Sequence, residues 1–279
     1  MQTYSGKPTA VLQPDDLRKT EQKMIILDCR PFEDYEFCHL VGAIHVDIDA
    51  VLSSAKDPTH DPKKGGRNPL PKTEVWQKQL CDWGVEKNSL VVAYDNASGA
   101  EGAARAWWLL MASGIRAAVL DGGWDAAMTA HLPLTEDITQ PTPSIVKFTN
   151  WLLPTVDLEA VEKYRKNPEW ILLDSRAPER WRGEIEPFDP IPGHIQGSKN
   201  IFFKENLVDG RFKQSQELRH IYTQIIGDIP SSQVIASCGS GMTACHTILA
   251  LYQAGIEGVS IYIGSYSEWC RNNPNLCYD

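Results

Sequence analysis

Residues 24–30 read Met-Ile-Ile-Leu-Asp-Cys-Arg, and residues 170–176 read Trp-Ile-Leu-Leu-Asp-Ser-Arg. Each stretch is an apolar run of strand length that ends in the motif Asp-x-Arg. Near-continuous apolar strands of this kind are typical of a parallel sheet that is covered on both faces. Two such stretches, one in each half of the chain, indicate that the sequence contains a diverged internal repeat.

Further landmarks recur in the same order after these two stretches. They are His-Leu-Val-Gly-Ala at 39–43 with His-Ile-Gln-Gly-Ser at 194–198, Leu-Val-Val-Ala-Tyr-Asp at 90–95 with Gln-Val-Ile-Ala-Ser-Cys at 233–238, and Asp-Gly-Gly-Trp at 121–124 with Ile-Gly-Ser-Tyr at 263–266. The strands at 90–95 and 233–238 each lead through small residues into a predicted helix, over 103–113 and 243–254. Two more amphipathic helices are predicted, with Thr73 and Ser215 as their N-caps. This alternation predicts an α/β fold of two tandem domains, each a mainly parallel sheet flanked by helices.

The segment between the two repeats predicts the domain boundary. Pro141 and Pro143 interrupt any regular pattern between Glu136 and Asn150, as expected of a connecting segment. We therefore expect an N-terminal domain over residues 1–140 and a C-terminal domain over residues 141–279.

The composition excludes several classes of protein. The 279 residues are 42% hydrophobic and 23% charged, which suits a globular chain with a core and excludes a disordered, collagen-like or disulfide-stapled chain. The net charge of −9 argues against nucleic acid as a partner. No apolar run approaches the roughly 20 residues of a membrane span, and the N-terminal residues lack the features of a signal peptide. Seven cysteines without metal-site or redox-pair spacing suggest free thiols in a reducing cytoplasm, and no metal or cofactor is expected.

One cysteine stands out because of its context. In Ser-Cys-Gly-Ser-Gly-Met-Thr-Ala, residues 237–244, a strand ends at Cys238 and small residues lead directly into a helix. Backbone N–H groups of such a loop and the helix N-terminus can stabilise a thiolate. A bland alternative is that Cys238 merely ends a buried strand before a glycine turn. A Cys-x5-Arg phosphatase is disfavoured, because Ala244 occupies the position of the phosphate-binding arginine.

The duplicated context and this loop resemble the rhodanese family of sulfurtransferases. The loop at 238–244 is similar to the Cys-Gly-Ser-Gly-Val-Thr-Ala loop of members that use mercaptopyruvate. Members that use thiosulfate typically carry an Arg-Lys pair where this chain has Gly239 and Ser240. Ala-Arg-Ala-Trp-Trp at 104–108 and Ser-Glu-Trp at 267–269 also look like family signatures. The resemblance covers about residues 14–269 and implies two rhodanese-like domains, of which the N-terminal one is non-catalytic and the C-terminal one catalytic.

The resemblance also implies a reaction. The thiolate of Cys238 would take sulfur from a small anionic donor to form a persulfide, and the persulfide would pass it to a thiol, cyanide or a thioredoxin-like acceptor. Ser240 and Asp49 would act with Cys238 as the catalytic residues, and Arg180 would bind the anionic group of the donor. The remaining predicted substrate contacts within the loop are Gly239, Gly241, Met242 and Thr243.

Three positions depart from the family pattern and leave the donor open. Members that use mercaptopyruvate often hold a second arginine in a Glu-Pro-Arg context, where this chain has Phe188, so Arg182 is the predicted substitute. Asn68 stands where the family places a histidine, and Met242 adds bulk beside the nucleophile. We expect mercaptopyruvate as the donor. Thiosulfate, and a non-enzymatic persulfide carrier loaded by a protein partner, remain the alternatives.

Other chemistry-bearing residues have simpler interpretations. The Asp-x-Arg motifs occur in both halves although Cys238 occurs in one, which favours structural ion pairs, and the same argument applies to His39 and His194. Arg67 either faces the cleft between the domains or is a solvated loop arginine. Packing roles are expected for Trp107 and Trp108 on their helix and for Cys245, for which a resolving thiol is the alternative. No role is predicted for Cys270 and Cys277.

Overall fold

Two five-stranded parallel sheets form the centre of the molecule, one in each half. The computed structural model describes residues 10–19 and 24–278. The strands of the first half are β1 (Val11–Leu12), β2 (Met24–Asp28), β3 (His39–Leu40), β4 (Ala43–His45), β5 (Leu90–Tyr94), β6 (Arg116–Leu120) and β7 (Leu134–Thr135). Those of the second half are β8 (Thr155–Val156), β9 (Ile171–Asp174), β10 (Lys199–Asn200), β11 (Leu207–Val208), β12 (Arg211–Phe212), β13 (Val234–Ser237) and β14 (Ser260–Tyr262).

The two sheets share one topology, which confirms the predicted repeat. Their strand orders are β1-β6-β5-β2-β4 and β8-β14-β13-β9-β10, and every neighbouring pair in both sheets is parallel. The strands β3 with β7, and β11 with β12, form short antiparallel pairs. Because all strands of a sheet point the same way, the loops after β5 and β13 lie at its carboxyl edge, where α/β proteins build their sites.

Helices connect the strands and cover the sheets. In the first half they are α1 (Pro14–Lys19), α2 (Phe32–Phe37), α3 (Ile48–Val51), α4 (Thr73–Asp82), α5 (Ala103–Ala112) and α6 (Gly123–Thr129). In the second half they are α7 (Leu158–Tyr164), α8 (Pro178–Trp181), α9 (Ser215–Ile226), α10 (Met242–Gln253) and α11 (Ser265–Asn272), with 3₁₀ helices at Phe203–Asn206, Ser231–Gln233 and Pro274–Leu276. Across the described residues, no helix combines the length and apolar character required to cross a bilayer.

The predicted N-caps were wrong by one residue. Thr73 and Ser215 are the first helical residues of α4 and α9, and the caps are the preceding Lys72 and Gln214. Neither cap side chain hydrogen-bonds to the helix, since the extended backbone of each cap residue is enough to start the first turn. The Thr73 hydroxyl instead donates to the Glu74 carboxylate.

The helices α5 and α10 pack the two halves against each other. Trp107 and Trp108 of α5 are buried, as predicted, and the Trp107 ring lies 5.7 Å from the ring of Tyr252 near the end of α10. One apolar core includes buried residues of both halves. Residues 136–150, in which the predicted boundary falls, contain neither helix nor strand.

The Asp-x-Arg motifs form buried ion pairs in both halves, as predicted. Arg30 lies 2.7 Å from Asp28 and Arg176 lies 2.8 Å from Asp174. Each guanidinium also stacks on an aromatic ring of the following repeat landmark, 3.7 Å from the centroid of Trp124 and 4.0 Å from that of Tyr266. These pairs fasten the carboxyl ends of β2 and β9 to the helices α6 and α11, which is a structural role.

Candidate active site

Cys238 lies in the turn between β13 and α10, at the carboxyl edge of the second sheet. Its side chain is buried, and the backbone N–H of Gly241 donates to its Sγ at 3.1 Å. Gly241 has a φ of +81°, and a Cβ on it would lie 2.5 Å from the carbonyl oxygen of Ile263. A residue with a side chain would be strained there, so glycine is what lets the loop turn its N–H toward the thiol.

The start of α11 fixes the other side of the loop. The N–H of Cys238 donates to Ser265 Oγ at 3.1 Å, and the N–H groups of Tyr266 and Ser267 donate to the carbonyls of Cys238 and Gly239 at 2.9 and 2.8 Å. These three bonds fix the backbone of Cys238 and Gly239 against the start of α11.

The equivalent loop of the first half holds a carboxylate. Asp95 is fully buried, and five backbone N–H groups donate to it at 2.7–3.1 Å; they belong to Ala97, Gly99, Glu101, Gly102 and Ala103. In such a loop the backbone N–H groups point toward the same position, and their partial positive charges favour an anion there. In the second half that point is occupied by Cys238, so the loop is suited to a thiolate or a persulfide anion.

Two arginines from different halves converge beside Gly239. A Cβ at Gly239 would lie 3.3 Å from Nη2 of Arg180 and 3.3 Å from Nη2 of Arg67. Arg180 lies on α8, in the segment by which the second repeat exceeds the first, and Arg67 precedes α4. The structure therefore brings Arg180 to the loop and answers the alternative left open for Arg67, which faces the cleft.

Arg182 is not brought to the loop. Its guanidinium pairs with Glu184 at 2.6 Å, and about half of both side chains is exposed. Residues two apart on a helical turn point in different directions, so Arg182 faces away from the side on which Arg180 contacts the loop.

Asn68 connects the first half to Ser240. The Nδ2 of Asn68 donates to Ser240 Oγ at 3.3 Å, which leaves the hydroxyl hydrogen of Ser240 free to donate elsewhere. Thr243 Oγ1 accepts a bond from Ser175 Oγ at 3.2 Å, which ties the first turn of α10 to the end of β9. From the sequence, Asn68 was noted only as a departure from the family pattern, and its contact with Ser240 was not predicted.

A cavity of about 520 Å³ opens next to the loop. Met242 contributes to its wall from the loop, and Asn68 and Asp49 contribute from the first half. Asp49 is exposed and lines this cavity, while the described hydrogen bond to Ser240 comes from Asn68. Of the predicted catalytic residues, Asp49 lines this cavity, whereas Cys238 and Ser240 are not among its lining residues.

Arg105 is a further residue behind the loop. It is fully buried, and its guanidinium donates to the carbonyls of Gly241, Asn68, Pro69 and Leu52 at 3.3–3.5 Å. It therefore joins α5 to the loop and to the segment that carries Arg67. The Ala-Arg-Ala-Trp-Trp signature at 104–108 was the sequence signal that could have identified it.

The remaining thiols are suited to packing. All seven cysteines are free. Burial raises the pKa of Cys245 and of Cys270 to about 12, and it also raises the pKa of Cys29 and Cys277. A thiol that stays protonated is a poor nucleophile, which favours the packing interpretation of Cys245 over a resolving role.

Comparisons with known proteins agree with this geometry. A family model described as a rhodanese-like domain matches residues 14–130 and again residues 157–272. The chain is 38% identical to a probable 3-mercaptopyruvate sulfurtransferase of Pseudomonas aeruginosa, over 90% of this chain and 91% of that one. It is 36% identical to the human 3-mercaptopyruvate sulfurtransferase (85% and 78% covered) and 33% identical to the mouse thiosulfate sulfurtransferase (87% and 80% covered). A solved structure of 3-mercaptopyruvate sulfurtransferase from Leishmania major superposes with a TM-score of 0.83 at 26% identity, over 98% of this chain and 77% of that one.

Proposed function

The chain belongs to the rhodanese family and is a sulfurtransferase, and we propose that it takes its sulfur from 3-mercaptopyruvate through a persulfide on Cys238. The observation that carries the proposal is the loop itself, in which an N–H of Gly241 points at Cys238 Sγ while the equivalent loop holds the Asp95 carboxylate. The C-terminal domain, residues 141–279, would then be the catalytic one.

The reaction can be written for the residues in place. The thiolate of Cys238 attacks the sulfur of the donor, a new S–S bond forms, and the C–S bond of the donor breaks. The electron pair of that bond stays on the carbon atom. This carbon takes up the proton that the donor thiol carried, which Ser240 relays, and pyruvate leaves. An acceptor thiolate or cyanide then attacks the outer sulfur, and the S–S bond breaks to restore the Cys238 thiolate.

The position of the cations supports mercaptopyruvate over thiosulfate. The guanidinium groups of Arg67 and Arg180 lie beside Gly239, while Gly239 and Ser240 themselves carry no charge. In mercaptopyruvate the carboxylate is separated from the sulfur by two carbon atoms, so a cation to one side of the nucleophile suits it. In thiosulfate the charged oxygens sit on the atom bonded to the transferred sulfur. The mouse relative named for thiosulfate keeps that donor as the second candidate.

The cavity lined by Met242, Asn68 and Asp49 is the proposed entrance for the acceptor. Its volume of about 520 Å³ admits a small thiol, and the acceptor would reach the outer persulfide sulfur past Met242. We also propose a cytoplasmic location, in keeping with seven free cysteines.

Replacing Cys238 tests the proposed function. We expect Cys238→Ser to lose turnover with 3-mercaptopyruvate and with thiosulfate, because a serine hydroxyl forms no persulfide. Mass spectrometry of the wild-type protein after donor addition should show one added sulfur on the peptide that contains Cys238. Cys245→Ser is the matched control and should keep its activity. Turnover by Cys238→Ser would contradict the proposal, and a higher kcat/KM with thiosulfate would reverse the choice of donor.

A further inference from the structure

We propose that Ser265, the first residue of α11, assists the nucleophile. Its hydroxyl group fixes the backbone of Cys238 and donates a hydrogen bond to the Cys238 sulfur when that sulfur is an anion. Ser265 lies outside the loop between β13 and α10 and outside the predicted catalytic residues. The inference rests on the proposed function for what the anion does in the reaction, while the hydroxyl can be tested on the thiol alone, without a sulfur donor.

The backbone of Ser265 has a conformation that is unfavourable for a serine. Its φ is +50°, in the left-handed region that a residue with a side chain adopts only at a cost. Gly123 is the equivalent residue of the first half, because Asp-Gly-Gly-Trp at 121–124 pairs with Ile-Gly-Ser-Tyr at 263–266, and its φ is +54°. The turn therefore suits glycine in both halves, and the second half has a side chain there in spite of the strain.

The first half has no room for this side chain. A Cβ on Gly123 would clash with the carbonyl oxygen of Asp95, which is the residue equivalent to Cys238. In the second half the side chain of Ser265 is accommodated and fully buried. The two halves therefore differ both at the side chain that the loop holds and at the residue beside it, where Asp95 is accompanied by a glycine and Cys238 by a serine.

The Ser265 hydroxyl has one hydrogen and two acceptors within reach. Its oxygen accepts the N–H of Cys238 at 3.1 Å and donates to the carbonyl of Tyr262 at 2.8 Å. The same oxygen lies 3.9 Å from Cys238 Sγ, so rotation about the C–O bond would turn the hydrogen from the carbonyl to the sulfur. A neutral thiol is a weak acceptor, whereas a thiolate or persulfide anion attracts the hydrogen strongly. The hydroxyl is therefore placed to respond to the charge on the sulfur.

The cysteine has fewer donors than the carboxylate of the equivalent loop. Five N–H groups donate to Asp95. In the described part of the chain, the groups that donate to Cys238 Sγ are the N–H of Gly241 at 3.1 Å and the hydroxyl of Ser265 at 3.9 Å. Each donor that points at an anion stabilises it, so a hydroxyl supplied from α11 compensates in part for the smaller number of N–H groups. This difference gives a reason for the strained serine beside the cysteine.

The charged groups around the nucleophile do not depend on the hydroxyl. Arg67 and Arg180 lie beside the loop, Arg105 donates to it from behind, and Glu268 of α11 bonds to the segment before Arg67. None of these described contacts passes through the side chain of Ser265. A difference between the wild type and a Ser265 variant therefore reports on the hydroxyl.

Alkylation of Cys238 measures the effect on the thiolate without a sulfur donor. The rate with neutral iodoacetamide is followed from about pH 5 to about pH 10 by mass spectrometry of the Cys238 peptide in full-length protein. We expect Ser265→Gly and Ser265→Ala to move the midpoint of the pH profile upward by about 0.5–1 pH unit, which is an about three- to tenfold lower thiolate fraction below the midpoint. Ser232→Ala is the control, because Ser232 is exposed and precedes β13 at the opposite end of that strand.

The two variants separate this effect of the hydroxyl from a purely structural role. Ser265→Gly removes the hydroxyl and relieves the backbone strain, whereas Ser265→Ala removes the hydroxyl and keeps the strain. Urea unfolding should therefore show the glycine variant to be at least as stable as the alanine variant. A serine that merely starts α11 would leave the pH midpoint unchanged in the glycine variant. Upward shifts of similar size in both variants would support the inference.

Steady-state rates connect the hydroxyl to turnover. We expect both variants to lower kcat with 3-mercaptopyruvate about fivefold and to change the KM for that donor about twofold or less, because the hydroxyl acts on the sulfur of Cys238. An unchanged midpoint in both variants would overturn the inference, whatever the change in kcat. A shifted midpoint, in a protein whose wild type turns over neither 3-mercaptopyruvate nor thiosulfate, would support the role of Ser265 and contradict the proposed function instead.

Discussion

At the scale of single residues, Asp95 shows what the Cys238 loop is built to hold. The two residues follow equivalent strands, β5 and β13, and precede equivalent helices, α5 and α10. The Asp95 carboxylate takes five backbone N–H bonds, which a neutral side chain of that size could not accept. The duplication has therefore kept one loop design around two different side chains, the Asp95 carboxylate in the first half and the Cys238 thiol in the second.

Removing the Asp95 carboxylate should destabilise the protein. Asp95→Ala leaves five N–H groups without their acceptor in a buried loop, and we expect a loss of about 3 kcal/mol in the free energy of unfolding. Asp95→Asn keeps one acceptor oxygen and should lose less. Urea unfolding of both variants measures this, with Asp228→Ala, at an exposed position, as the control. Equal stabilities of Asp95→Ala and the control would contradict the interpretation of the loop.

At the scale of elements, the loop before α10 divides its tasks between two glycines. Gly241 has a positive φ and approaches the Ile263 carbonyl, whereas Gly239 has no positive φ and approaches the ends of two flexible arginine side chains. The first glycine permits the backbone conformation of the loop, and the second leaves the space between the two guanidinium groups unfilled. The two can therefore be separated by the same substitution.

We expect Gly241→Ala to lower both stability, by about 1–3 kcal/mol, and kcat, because the added Cβ strains the backbone that aims an N–H at Cys238. Gly239→Ala should change stability by about 0.5 kcal/mol or less, since the backbone there is not in the left-handed region and the added Cβ meets only the ends of flexible side chains, yet it should raise the KM for the donor several-fold by filling the space between the arginines. Urea unfolding and initial rates distinguish the two variants. A stability loss in Gly239→Ala equal to that in Gly241→Ala would show that the division of tasks is wrong.

The helices, strands and loops also show which features of the structure could be predicted from the sequence. The apolar runs of β2 and β9, the small-residue loop at Cys238 and the Asp-x-Arg pairs are local patterns, and the structure has each where it was expected. The contacts of Arg67 with Gly239 and of Asn68 with Ser240 each join residues 172 positions apart, and no spacing within either repeat encodes them. Arg182 was a reasonable candidate by proximity to Arg180, but the turn of α8 directs the two side chains apart.

At the scale of the whole molecule, the first half completes the site although its own loop lacks a cysteine. Arg105 donates to the Gly241 carbonyl, Asn68 donates to Ser240, and Arg67 reaches the space above Gly239. Each contact crosses between the halves. The packing of α5 on α10 thus has a functional consequence, because it fixes how far these side chains reach into the second half.

The same interface should make stability depend on pH through His246. This residue of α10 is fully buried between the rings of Phe203 and Phe212 and beside Asn206 Nδ2, and its Cδ2 faces Gly99 of the first half. Burial lowers its pKa from 6.5 to about 3. Between these two pH values the unfolded chain binds a proton that the folded protein does not, so stability is lost as the pH falls below 6.5. From pH 7 to pH 5 this residue should account for a loss of about 2 kcal/mol in the free energy of unfolding.

Urea unfolding at both pH values should show that loss in the wild type and in the exposed control His220→Gln. In His246→Gln the loss between the two pH values should be smaller by about 2 kcal/mol. The same pH dependence in all three proteins would mean that His246 does not link protonation to the stability of the protein.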